Sequence, residues 1–224
     1  MGRSESEVIL DIFASIGMLL ALGMALAWAP PEGALGDLQR ILYAHVAISC
    51  VGFLALVVGW VGAVLYLVRG RVRLAHLSSA SLEIGFTFIT MAILSGSLGA
   101  KTVGNSWWAW ESHLMTMAIV WLACLAYFML RRAVGNPEGA ERLAAVYCVF
   151  VFATVPLTSL ALLWWRGPYP PAGRLSLQML ATLLASVGAF ALFYVALLRH
   201  RLRLDRMDLE IASFREQLIG RESE

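Results

Sequence analysis

The sequence predicts an all-α integral membrane protein, a bundle of six transmembrane helices, and three observations carry that prediction. The 224-residue chain is 60% hydrophobic and only 14% charged, with a mean hydropathy of +0.75; a soluble domain is roughly half apolar and about a quarter charged. Six apolar runs reach the roughly 20 residues that a helix needs to cross a bilayer. No strand alternation competes with them, and a helix satisfies its own backbone hydrogen bonds in lipid.

The first run, Val8–Trp28, ends in Ala25-Leu26-Ala27, which resembles a signal-peptidase site. Its length, and Glu5 and Glu7 beside Arg3 in the N-terminal flank, predict a retained span instead. The others are Ile41–Val68, Leu77–Gly99, His113–Leu130, Leu143–Leu163 and Leu175–Leu198. Thirteen Lys and Arg fall in the N-terminus, the 69–76 and 131–142 loops and the C-terminal tail, and four fall in the 29–40, 100–112 and 164–174 loops. The positive-inside rule therefore places both termini in the cytoplasm and the 100–112 loop outside.

After the last span, Arg199 to Arg206 forms a basic stop, and Leu204, Met207, Ile211, Phe214 and Leu218 recur at three- and four-residue steps. This pattern predicts a short cytoplasmic amphipathic helix. Docking on a partner helix and lying on the anionic leaflet are both open to it. The chain thus divides into a transmembrane domain, 1–198, and a tail, 199–224. Cys50, Cys124 and Cys148 all lie in apolar runs, are odd in number and form no C-x-x-C, so they are expected to be buried small hydrophobes. Ala92, Gly96 and Ala100 present a small-residue face for close helix approach.

Function enters at Trp107-Trp108-Ala109-Trp110-Glu111, in the short polar loop between two spans. Isolated interface tryptophans anchor a protein at headgroup level. Three within four positions, beside an acid, exceed that need and suggest a flat aromatic shelf for a flat apolar ligand. The 164–174 loop adds Trp164, Trp165 and Arg166 to the same side, in a segment that Gly167, Pro168, Pro170 and Pro171 make stiff. His45 sits about one turn into the second span from the same side, and His113 opens the fourth. An ionisable residue at membrane depth is costly to keep and marks a functional site by default. Planar apolar rings, a metal-ligating imidazole and cations for carboxylates are together what heme requires. An aromatic belt with a few positive anchors is the alternative reading of the same residues.

Asp11 and Glu83 lie toward the cytoplasmic ends of the first and third spans. They fit either an ion path or pairing with flanking arginines such as Arg71 and Arg73. His76 and His200 read as part of the basic flanks. A net charge of +2 without an exposed basic patch excludes nucleic acid as a partner. The chain has no phosphate-binding loop and no hydrolase motif, so it neither drives transport with ATP nor acts as an enzyme by itself.

These residues resemble a known family. Ser97-Leu98-Gly99 through Trp107-Trp108-Ala109-Trp110-Glu111 into Leu114-Met115-Thr116 is similar to the tryptophan-rich "WWD" segment of the cytochrome c assembly family. Gln39-Arg40-Ile41-Leu42-Tyr43-Ala44-His45-Val46 resembles its first outer histidine segment. The six spans, and Trp164-Trp165 before the last of them, fit the heme exporter protein C (CcmC) branch over nearly the whole chain. The resemblance implies a multi-pass bacterial inner-membrane protein that holds heme b on the periplasmic side. It would pass the heme to a periplasmic heme chaperone for attachment to apocytochromes c, working with an ABC-type ATPase and the membrane subunits of the same complex. It also implies that His45 is an axial iron ligand and that Trp107, Trp108 and Trp110 cradle the ring.

Three positions depart from the family pattern. Glu111 stands where Asp is usual, His113 where Arg is usual, and the 166–174 loop holds no second histidine. The expected heme contacts are therefore His45, Trp107, Trp108, Trp110, Glu111, His113, Trp164, Trp165 and Arg166, with His45 on the metal. The opposite axial position is left to His113, water or a partner. A heme-free structural subunit of the same complex is the rival reading, and a transporter using Asp11 and Glu83 is the third.

Overall fold

The computed structural model describes residues 4–31, 36, 38–108, 110, 112–164 and 176–222. Every regular element among them is helical: α1 (Glu5–Gly23), which ends in a π turn (Met24–Trp28), α2 (Leu38–Arg69), α3 (Val72–Gly104), α4 (Ser112–Ala133), α5 (Pro137–Trp164) and α6 (Leu177–Glu222). All six are long and apolar enough to cross a membrane. They alternate in direction, so one end of the bundle carries the 105–111 tryptophan segment and the other carries the chain termini and most of the charge.

Local chemistry sets the boundaries. Ser4 caps α1 in a reciprocal box: the Glu7 amide donates to Ser4 Oγ at 3.3 Å, and the Ser4 amide donates to Glu7 Oε2 at 3.2 Å. Gly70, at φ +64°, ends α2 with its amide on the Tyr66 carbonyl at 2.8 Å, and α3 begins two residues later. Asn105, at φ 53°, ends α3 in the left-handed region that short polar side chains tolerate. Pro137 opens α5, where its missing N–H has no intrahelical partner to lose.

The tightest seam joins α2 to α3. A Cβ on Gly62 would come within 3.0 Å of the Ser78 amide nitrogen, and one on Gly59 within 3.0 Å of Leu82 Cγ. A Cβ on Gly85 would approach Ala55 Cβ to 3.1 Å. With lipid outside as apolar as the helices themselves, close packing of small residues is what holds such spans together. Leu56, Leu82, Ile89, Met117 and Val120 fill the core above and below the seam, each almost wholly buried. Ser81 donates to the Ala55 carbonyl at 2.7 Å, which spends its one hydrogen, so the Tyr194 hydroxyl donates to it at 2.6 Å. That pair of bonds ties α2, α3 and α6 together. Trp121 Nε1 donates to Thr90 Oγ1 at 2.9 Å and joins α4 to α3. Helix α1 packs on α6 through Ala14, Gly17 and Ala21; a Cβ on Gly17 would meet Ala189 Cβ at 3.6 Å. Its other faces expose Ile9, Ile12, Phe13, Leu19 and Leu20, as expected of a helix whose solvent is lipid.

Two expectations are corrected at the charged end. Asp11 and Glu83 pair not with Arg71 or Arg73 but with α6: His200 Nε2 lies 2.9 Å from Asp11 Oδ1, and Arg201 Nε donates to Glu83 Oε2 at 2.7 Å. Arg203 donates to Glu7 Oε2 at 2.7 Å, Asp205 also pairs with Arg201, and His76 Nδ1 lies 3.7 Å from Asp205 Oδ2. The reason is that α6 does not stop at the bilayer. It runs unbroken through the basic stop, bringing residues 200–205 alongside α1 and α3. His76 and His200 therefore belong to this ion-pair cluster as much as to the basic flanks. Cys124 and Cys148 are buried as expected, but Cys50 is exposed on the outside of α2.

The seam makes a clear prediction. Gly62→Ala should lower stability in detergent by about 1–3 kcal/mol, since backbone rather than a flexible side chain stands in the way. Gly188→Ala, where a Cβ meets nothing within 4 Å, should be neutral or stabilise by up to about 1 kcal/mol. Thermal unfolding of the two variants checks both.

Candidate functional site

At the tryptophan end, His45 lies about two turns into α2, half-buried against α3. Its Nδ1 is 2.9 Å from Ser95 Oγ. The same oxygen is 2.9 Å from the Met91 carbonyl oxygen and 3.1 Å from that of Ala92, the usual back-bonding of a helical serine. Gly96 makes room for the ring: a Cβ there would come within 3.3 Å of His45 Cε1 and 3.2 Å of Leu114 Cδ2. Ser49 Oγ donates to the His45 carbonyl at 2.8 Å and steadies the helix one turn on. The small-residue face predicted at Ala92, Gly96 and Ala100 is present, with Ala92 and Ala100 buried. At Gly96 what it admits is an imidazole and a leucine.

Leu114 also fixes the course of the tryptophan segment. Helix α3 continues to Gly104, eight residues or roughly 12 Å beyond Gly96. Leu114, in the first turn of α4, is nevertheless packed at the level of Gly96. Between the end of α3 at Gly104 and the start of α4 at Ser112 the chain therefore returns to the level of His45. Lys101 Nζ ties the start of this segment by donating to Asn105 Oδ1 at 2.7 Å and to its carbonyl at 3.1 Å. Ser106 Oγ donates to the Trp108 carbonyl at 2.9 Å.

The tryptophans do not form a single flat shelf. Trp107 is 62% exposed and Trp110 76%, whereas Trp108 is half-buried. Trp108 and Trp110 meet edge to face, with centroids 6.2 Å apart and planes at 80°, the arrangement that aromatic quadrupoles favour over a parallel sandwich. Lys101 Nζ stands 6.0 Å from the Trp107 ring centre. Two large aromatic faces thus stay open, with a cation beside one of them.

Of the other expected contacts, Glu111, Trp165 and Arg166 lie outside the described residues. His113 is placed by its backbone in the first turn of α4, at the level of His45, and Trp164 as the last residue of α5; the side chains of both lie outside the description. Among the described residues no three His, Cys, Asp or Glu side chains converge on a point that could hold a metal ion. What they offer is one imidazole, suited to a metal that brings most of its own ligands.

Sequence reasoning missed Ser95. The available signal was the run Ser95-Gly96-Ser97-Leu98-Gly99, unusually polar and small for the end of a membrane helix and level with His45 once α2 and α3 are paired.

The comparisons with known proteins agree over almost the whole chain. The family model described as heme exporter protein C matches residues 4–217. The heme exporter protein C of Rhodobacter capsulatus is 25% identical over 199 residues, covering 84% of this chain and 82% of that protein. That of Bradyrhizobium diazoefficiens is 28% identical over 192 residues, covering 82% and 73%. That of Haemophilus influenzae is 24% identical over 213 residues, covering 88% and 85%. With a match that takes in all six helices and both the His45 and tryptophan segments, the chain belongs to the heme exporter protein C family.

Proposed function

We propose that this chain binds heme at the tryptophan end of the bundle and delivers it for c-type cytochrome maturation, as a non-enzymatic subunit of an ABC-type heme export or release complex. The observation that carries this reading is His45, an imidazole at membrane depth that is held in one orientation by Ser95 and Gly96 beside an exposed aromatic segment. Family membership supports a role in heme handling. The distribution of thirteen Lys and Arg against four supports a cytoplasmic charged end and a periplasmic tryptophan end in the bacterial inner membrane.

In this reading His45 would supply a nitrogen ligand to the iron. Trp107 and Trp110 would offer their apolar faces to the ring, and Trp108 meets Trp110 edge to face. Lys101 stands where a propionate carboxylate would find a cation, with Arg166 a candidate for the same role. Glu111, His113, Trp164 and Trp165 complete the proposed contacts, and His113 is the one histidine of this chain proposed for the opposite axial position. A periplasmic heme chaperone receives the heme, and the ATPase and its membrane subunits meet the chain within the bilayer and at the charged end. Residues 199–224 form the cytoplasmic appendage of the membrane domain 1–198. The rival, a heme-free structural subunit of the complex, draws its support from the long α6 extension, which has the apolar positions of a docking helix.

Two experiments test these assignments. The detergent-purified protein should show a heme absorbance spectrum, and His45→Ala should weaken heme retention by more than the roughly 10–100-fold typical of removing only a ligand's hydrogen-bond partner. Replacing Trp107, Trp108 and Trp110 together by Leu should leave membrane insertion intact, because Leu is favourable in and near the bilayer, yet abolish holocytochrome c formation. Normal maturation in the triple variant would reduce the segment to a headgroup belt.

Truncation after Arg203 addresses the tail. It keeps the Glu7–Arg203, Asp11–His200 and Glu83–Arg201 pairs and removes the exposed Leu204, Leu209, Ile211 and Phe214. Recovery of the ATPase with the truncated chain should fall severalfold in pull-downs. Unchanged recovery would favour a tail that lies on the membrane surface.

A further inference from the structure

We propose that Ser95 is a positioning residue that fixes the tautomer of His45, holding the proton on Nδ1 so that Nε2 is the basic nitrogen presented to the iron. A serine hydroxyl carries one hydrogen and two lone pairs. Around Ser95 Oγ stand three atoms in bonding range: the Met91 carbonyl at 2.9 Å, the Ala92 carbonyl at 3.1 Å and His45 Nδ1 at 2.9 Å. The two carbonyls can only accept. When the hydroxyl donates into its own helix, as helical serines do, its lone pair faces Nδ1, and the bond to the ring then needs the hydrogen on Nδ1. The reverse tautomer would turn the hydroxyl away from both carbonyls and leave Ser95 Oγ one hydrogen bond in place of two. Gly96 reinforces the choice, because the imidazole edge lies so close to α3 that a Cβ would come within 3.3 Å of Cε1. The ring is therefore held by contact as well as by the bond.

The identity of the partner also sets how firmly His45 would hold a metal. Metal-binding histidines commonly donate their other N–H to a carboxylate, which makes the ligating nitrogen more basic. A neutral hydroxyl already committed to two carbonyls accepts more weakly. Ser95 thus orients His45 without strengthening it, which suits a ligand that must let its heme go. This consequence rests on the heme-binding reading above; the tautomer itself does not.

The test separates the two. Heme-free protein labelled with 15N-histidine is examined by NMR in alkaline buffer, where imidazole is neutral, and the His45 signals are identified by their loss in His45→Ala. In the wild type Nδ1 should be protonated and Nε2 unprotonated. In Ser95→Ala the population should move toward the Nε2–H form, and Ser95→Thr, which keeps the hydroxyl, should restore the wild-type pattern. A wild-type His45 protonated on Nε2, or an unchanged pattern in Ser95→Ala, would overturn the proposal without touching heme binding. With heme added, Ser95→Ala should keep an iron–histidine stretching band and bind heme less than about 10-fold more weakly, below the loss typical of a strengthening partner. Heme retention unaffected by His45→Ala would defeat the ligation reading while leaving the tautomer result standing.

Discussion

The α2–α3 seam is the constraint on which the rest of this bundle depends. Gly59, Gly62 and Gly85 let the two backbones approach until a methyl group would not fit between them, and Ala55 continues the same face. Their relative rotation and register follow from that contact, because Gly62 faces backbone directly and Leu82 and Ala55 fill the space at Gly59 and Gly85. Register is what puts residue 45 of one helix against residues 95 and 96 of the other. The seam at the charged half and the imidazole at the tryptophan half are two ends of one alignment.

The charged end is organised by a different force. Glu7, Asp11 and Glu83 come from two helices, and all three find their partners within residues 200–203 of α6. These groups are partly exposed, so each pair alone contributes little. Their arrangement still matters, because α6 meets α1 mainly through small residues and gains from them a defined rotation about its own axis. Carboxylates at this depth are costly to leave unpaired. A last helix that passes straight through the basic stop answers that cost for two spans at once.

Much of this was legible in the sequence, and the limits are physical. Span number and rough boundaries follow from apolar run length, since the bilayer imposes one length scale on every helix. His45 and the tryptophan cluster stood out because ionisable and bulky aromatic residues near a membrane demand a reason. The partners of Asp11 and Glu83 did not stand out: the nearest arginines in sequence are 71 and 73, whereas the true partners lie at 200 and 201 and depend on α6 continuing as a helix. Ser95 was hidden because a serine bonded to its own helix is chemically ordinary until an imidazole is brought beside it. Cys50 shows the limit of reading burial from apolarity in a membrane protein, where the outward face of a helix is as apolar as its core.

The continuity of α6 has a mechanical consequence. Beyond residue 205 about 17 residues remain helical, roughly 26 Å of rod on the far side of the ion pairs. A rod pinned just past its midpoint is a lever with its fulcrum at residues 200–205. Its outer arm is gripped by whatever occupies the exposed Leu209, Ile211 and Phe214. Its inner arm reaches Tyr194, and through the Ser81 hydroxyl the Ala55 carbonyl on α2. Ten residues along that same helix is His45, so a tilt imposed at the charged end has an unbroken, stiff route to the tryptophan end of the bundle.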